Sequence, residues 1–142
     1  MIDERCFVDS NVLIYAYDRD AGEKRERAGE VLGGLWGSAT GVVSVQVLQE
    51  FFANATRKHK RPLDLARARE VVGIYGAWVA VPTDTSHVLR AVDIMKGYSL
   101  SFWDSMIVAL AEATQCRIVL SEDIQHGQTI AGVRVENPFL TT

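Results

Sequence analysis

Four carboxylates stand next to apolar elements of the chain. Asp9 ends the apolar run CFVD (6–9) and precedes a second apolar segment, Asn11 to Tyr17. Asp104 sits inside SFWDSMIVALAEATQ (101–115), where a helical wheel places it beside Ile107, Val108 and Ala111. Glu50 lies on the flank of an apolar helix face made by Val47, Leu48, Phe51, Phe52 and Ala55. Asp123 closes RIVLSED (117–123) and opens a turn-rich stretch, with Glu122 beside it.

Each acid has an ordinary reading. Asp is a favoured N-cap, so Asp9 can cap the segment beginning near Asn11. Ser101-x-x-Asp104 fits a capping box, and an acid at its third position suits the helix dipole. Glu50 can be a solvated helix residue, and Asp123 a turn carboxylate. Jointly the four say more. A buried carboxylate without a partner is costly or stays protonated, and a cation is one way to keep it charged. Mg²⁺ and Mn²⁺ take oxygen ligands of this kind. One or two such ions, ~3.5–4 Å apart if two, activate water and offset charge on a phosphodiester.

Other chemistries find no support. His59, His87 and His126 with two scattered cysteines make no zinc pattern. The chain has neither a GxSxG elbow nor a GxxxxGK[ST] phosphate loop. A DxD pair is absent after the first strand, where Asp9-Ser10-Asn11 stands.

The elements that would carry these acids alternate. Strands are expected at CFVD, GVVSV (41–45), VAVP (79–82), RIVLSED and VRVENPF (133–139). Helices are expected over 21–36, from after 45 to about Lys58, over 64–78, 84–98 with Asp84 or Thr85 as cap, and 101–115. The last is mostly apolar and therefore central. Alternation of this kind predicts an α/β domain with a parallel sheet covered by helices on both faces. Ligands bind such sheets outside the carboxyl ends of the strands, where Asp9 and Asp123 fall.

At 142 residues, 48% hydrophobic and 23% charged, the chain reads as one domain, 1–142, with a core that needs no staples. The net charge of -3 argues against coating nucleic acid by bulk charge but leaves room for a local basic groove. Cys6 and Cys116 each begin an apolar run, as buried thiols in a reducing compartment do. No basic start leads into an apolar signal core, and no run approaches the ~20 residues of a membrane span. A cytoplasmic protein with no membrane contact is expected.

Together FVDSN (7–11), LQEFF (48–52), SLSFWDSMIVALA (99–111) and LSEDIQHGQ (120–128) resemble the PIN-domain nucleases, in particular the VapC-type toxins of toxin–antitoxin pairs. The resemblance covers almost the whole chain, and its last two motifs in combination are highly specific. It implies a flavodoxin-like sheet of five parallel strands in the order 3-2-1-4-5, which sets strands one and four side by side and brings Asp9 and Asp123 together. By family position Asp9, Glu50, Asp104 and Asp123 are the four acids, and Asn11 and Ser121 the polar residues supporting them. Glu122 stands where relatives often carry a further acid. His126 is a departure, standing where many relatives have an acid. The resemblance implies hydrolysis of RNA with Mg²⁺ or Mn²⁺ to a 5′-phosphate and a 3′-hydroxyl. Asp9, Asp104 and Asp123 would hold the metal, and Glu50 would complete the cluster or orient water. It also implies a homodimer and a cognate antitoxin laid across the acids.

The basic run RKHKR (57–61) follows the helix of Glu50. Arg57, Lys58, Lys60 and Arg61 can contact RNA phosphates, or form a solvated loop. Other readings are a housekeeping PIN-domain nuclease of RNA processing and a non-catalytic interaction module that keeps its acids as a docking site. A receiver domain is disfavoured, because no lysine follows RIVLSED.

Overall fold

The computed structural model describes residues 4–57 and 60–140. Its centre is β1 (Cys6–Val8), which pairs in parallel with β2 (Gly41–Val42) on one side and with β3 (Ile118–Leu120) on the other. Beyond β3 runs β5 (Val133–Glu136), also parallel, and then β4 (Thr129–Ile130), antiparallel to β5. The sheet order is β2-β1-β3-β5-β4. Strands buried on both faces read as continuous apolar runs, and Phe7, Val8 and Val119 are fully buried.

The expected order of five parallel strands is corrected at both edges. VAVP forms no strand. Only Val79 pairs, as a single parallel bridge to Val43, after a 3₁₀ turn over Gly76–Trp78. Pro82 lacks the N–H that a ladder needs, which discourages extension. At the far edge, Thr129–Ile130 folds back on Val133–Arg134 through Ala131 and Gly132, both at positive φ. A two-residue hairpin turn of the I′ kind requires that backbone.

Among the described residues six α-helices cover the sheet: α1 (Ser10–Ala16), α2 (Glu23–Ser38), α3 (Val45–Ala55), α4 (Leu65–Tyr75), α5 (Thr85–Tyr98) and α6 (Phe102–Ala113). Side chains cap most of them. Ser44 accepts from the Val47 N–H at the head of α3, Asp64 from the Arg67 N–H at α4, and Ser101 from the Asp104 N–H at α6. Asp84 caps α5 in a box with His87. Every residue from Ser105 to Ala111 is buried, so α6 is the central helix its composition predicts. Trp36, Tyr75 and Trp78 pack as an aromatic cluster beside β2. A Cβ at Gly41 would lie 2.6 Å from the Trp78 ring, so only glycine fits there. Both cysteines are free, Cys116 buried and Cys6 partly so.

Candidate active site

The site is built at the carboxyl end of β1 and β3. The Asp9 N–H donates to the Leu120 carbonyl at 3.0 Å, which carries the ladder one residue past the strands and sets Asp9 beside Ser121. Asp9 is also the N-cap of α1, so the capping position and the strand-end position are one place. Its Oδ1 accepts from the Ser10 N–H at 2.7 Å, and its Oδ2 from the Ser121 hydroxyl at 2.7 Å. The Ser121 oxygen in turn accepts from the Asp123 N–H at 3.1 Å.

Asn11 joins the two strand-end acids. Its Nδ2 donates to Asp123 Oδ2 at 3.1 Å and to Asp9 Oδ2 at 3.4 Å. Its Oδ1 accepts from the Glu122 N–H at 3.3 Å, which fixes which way the amide faces.

Asp9 is only 4% exposed, and burial pushes its carboxyl up to about 6. Hydrogen bonds from Ser121 and Ser10 oppose the rise, while the charges of Glu50 and Asp123 add to it. Half-buried Asp104 is raised as well, by burial first, with Ser101 opposing and Asp123 adding. The four acids therefore act on one another although they come from four elements. Glu50 projects from α3, accepts from Gln46 Nε2 at 3.4 Å and lines a hollow with Asn54 and Trp103. Among the described residues, none of the four has a Lys, Arg or His partner.

Glu122 is different. Its side chain takes hydrogen bonds from Tyr15 Oη at 2.5 Å and from Lys24 Nζ, whose ammonium lies 4.8 Å from the centre of the Tyr15 ring. Burial raises its carboxyl, and the Lys24 and Tyr15 bonds outweigh it, so Glu122 lies below its usual range. It anchors the loop that orients Asn11 and is not one of the clustered acids. Sequence reasoning missed Lys24 and Tyr15. Nothing in their spacing announces a contact with a residue about a hundred positions away.

Among the described residues of the basic run, no side chain is hydrogen-bonded or ion-paired to the four acids. Arg57 donates to the Ala53 carbonyl, Lys60 is exposed, and Arg61 forms a two-pronged pair with Asp20 at 2.8 and 3.2 Å. Lys58 lies outside the described residues.

Among the described residues, no three Asp, Glu, His or Cys side chains close on one point tightly enough to enclose an ion. Asp9 and Asp123 both accept from the Asn11 amide. Mg²⁺ is commonly held by one or two carboxylates, with waters and substrate phosphate filling the remaining positions. An all-oxygen set of unpaired acids, one of them buried, fits that mode of binding.

A family model described as PIN domain matches residues 6–129. Comparison with curated proteins gives no match. Among solved structures, a toxin–antitoxin complex from Klebsiella pneumoniae superposes with a TM-score of 0.66 at 20% identity, covering 94% of this chain and 98% of that one. A DNA-bound VapBC from Salmonella typhimurium gives 0.63 at 20% identity, covering 95% and 98%. VapBC2 from Rickettsia felis, bound to a promoter DNA fragment, gives 0.60 at 14% identity, covering 93% and 97%. At such identities the likeness is one of fold.

Proposed function

The chain belongs to the PIN domain family, and from that premise we propose that it is a Mg²⁺- or Mn²⁺-dependent endoribonuclease, the toxin of a toxin–antitoxin pair. One observation carries the reading. Buried Asp9 and exposed Asp123 share the Asn11 amide at the carboxyl edge of a parallel sheet, with Glu50 and Asp104 near enough to act on them and, among the described residues, no cationic side chain paired with any of the four. Gathering acids in this way costs folding energy, and a bound cation recovers it.

In this reading Asp9, Asp104 and Asp123 hold the ion. When bound, it supplies a water of lowered pKa and takes up charge on the phosphodiester. Ser121 and Asn11 keep the Asp9 and Asp123 oxygens turned toward the cleft. Glu50 faces the hollow beside Trp103 and orients the attacking water, accepting its proton. The water oxygen bonds to phosphorus as its proton passes to Glu50, the bond to the 3′ oxygen breaks and that oxygen takes a proton from solvent, so that a 5′-phosphate and a 3′-hydroxyl remain.

Two surfaces support the expected partners. Val45, Leu48, Phe52 and Val72 line an apolar cleft of about 520 Å³ between α3 and α4, where an antitoxin segment can lie. Val88, Leu89, Val92 and Met95 form an exposed apolar row on α5, suited to a second copy of the chain.

Calorimetric titration with Mn²⁺ tests the ion site. The unaltered chain binds, and Asp9→Asn and Asp123→Asn each lose at least tenfold in affinity. Equal affinity in all three would remove the ion from these acids. Expression without a partner tests the toxin role: growth arrest that Asp104→Asn abolishes is expected. Unimpeded growth with folded protein present would point instead to a housekeeping nuclease.

A further inference from the structure

Four of the chain's eleven arginines line one cavity of about 430 Å³ at the far end of α1 from Asp9. Arg19 comes from the turn after α1, Arg25 from α2, Arg61 from the segment before α4, and Arg67 from the first turn of α4. They are not equally engaged. Arg61 is held by Asp20, and Arg67 pairs with Glu70 while its guanidinium lies 5.3 Å from the centre of the Tyr17 ring. Tyr17 also packs against Phe51, and Asp64 in the same wall is spent on capping α4. Among the described residues, Arg19 and Arg25 have no carboxylate partner. Asp20 and Glu70 neutralise two of the four and Asp64 adds a carboxylate to the wall, which leaves Arg19 and Arg25 as the unpaired guanidinium groups of the cavity among the described residues. Unpaired forks of this kind match phosphate oxygens.

We propose that this cavity is a subsite for the phosphate backbone of single-stranded RNA, with Arg19 and Arg25 as the contacting residues and Arg61 and Arg67 as its fixed walls. The inference rests on the nuclease reading. A polyanion is repelled by four clustered acids, so the attraction that delivers it must come from elsewhere on the surface. The cavity offers it at a workable distance. Asp9 caps one end of α1 and Tyr17 the other, eight residues apart, or ~12 Å at the helical rise. A strand crossing the acids reaches the arginines within a few nucleotides. With the Tyr17 ring already engaged by Arg67 and Phe51, backbone charge rather than base stacking is what the cavity reads.

The test is fluorescence anisotropy with a labelled, mixed-sequence 12-nucleotide RNA in EDTA, so that nothing is cut, over a series of NaCl concentrations. Arg19→Ala/Arg25→Ala is compared with Arg90→Ala/Arg117→Ala, which removes the same charge elsewhere. For single strands the logarithmic salt slope is about 0.7 per phosphate neutralised, so the first variant loses about 1.4 in slope and several-fold or more in affinity. The control changes little, and Arg19→Lys/Arg25→Lys keeps the slope. Equal losses in the first variant and the control would overturn the subsite, as would failure of the unaltered chain to bind a mixed RNA at low salt. Binding of oligoglutamate in place of RNA would also overturn it and assign the cavity to an acidic partner segment. Cleavage of cellular RNA by the unaltered chain, run alongside, shows whether the nuclease reading survives such a result.

Discussion

At neutral pH Asp9 carries a charge that its surroundings disfavour. Its carboxyl rises from the ordinary 3.8 to about 6 on folding, so the folded chain holds the proton more tightly than the unfolded one. This contribution to stability is complete below about pH 4 and is lost as pH rises through 6. Asp9→Asn is therefore expected to make the ion-free protein about 1–3 kcal/mol more stable than the parent at pH 8, with the two near parity at pH 4. Urea unfolding at both pH values reads the difference. Equal stability at pH 8 would mean that the Ser121 and Ser10 hydrogen bonds already compensate the burial. Ser105, next to Asp104, is fully buried, and among the described residues its hydroxyl has no hydrogen-bond partner. Ser105→Ala should raise stability by about 0.5–1.5 kcal/mol. A loss in thermal unfolding would show that the hydroxyl is satisfied by water or a bound group.

At the scale of elements, Gly41 decides how β2 meets the 3₁₀ turn after α4. Gly41→Ala forces a methyl to within 2.6 Å of the buried Trp78 ring and should cost about 1–3 kcal/mol, seen as a lower urea midpoint. Much of this layer was legible in the chain. CFV, RIVL and VRVE declared the parallel core strands, and Ser101, Asp84 and the unbroken apolar run after Asp104 located α5 and α6. What escaped was tertiary. The VAVP run has strand composition, yet only Val79 finds a partner. The short strand Thr129–Ile130 exists because Ala131 and Gly132 adopt positive φ, which alanine does not advertise. The four acids could be suspected together, and the strand-end reading already put Asp9 and Asp123 on one edge of the sheet, but that their strands are neighbours came from family resemblance. Their meeting depends on which strands are neighbours, and apolar pattern does not encode that. The Lys24–Glu122–Tyr15 contact left no sequence signal at all.

For the whole molecule, the exposed row Val88, Leu89, Val92 and Met95 leaves α5 apolar on its outer face. Val92→Glu is expected to convert a homodimer to monomers in sedimentation equilibrium while leaving the fold intact. A monomeric parent would remove α5 as a dimer surface. No described helix is long and apolar enough to cross a membrane.

The most direct measurement is cleavage of total cellular RNA by the purified chain, with new 5′ ends mapped in Mg²⁺, in Mn²⁺, in EDTA and with Asp104→Asn. Discrete 5′-phosphate ends that need both the ion and Asp104 are predicted. RNA left intact under every condition, by protein shown free of any antitoxin and able to bind Mn²⁺, would contradict the nuclease account.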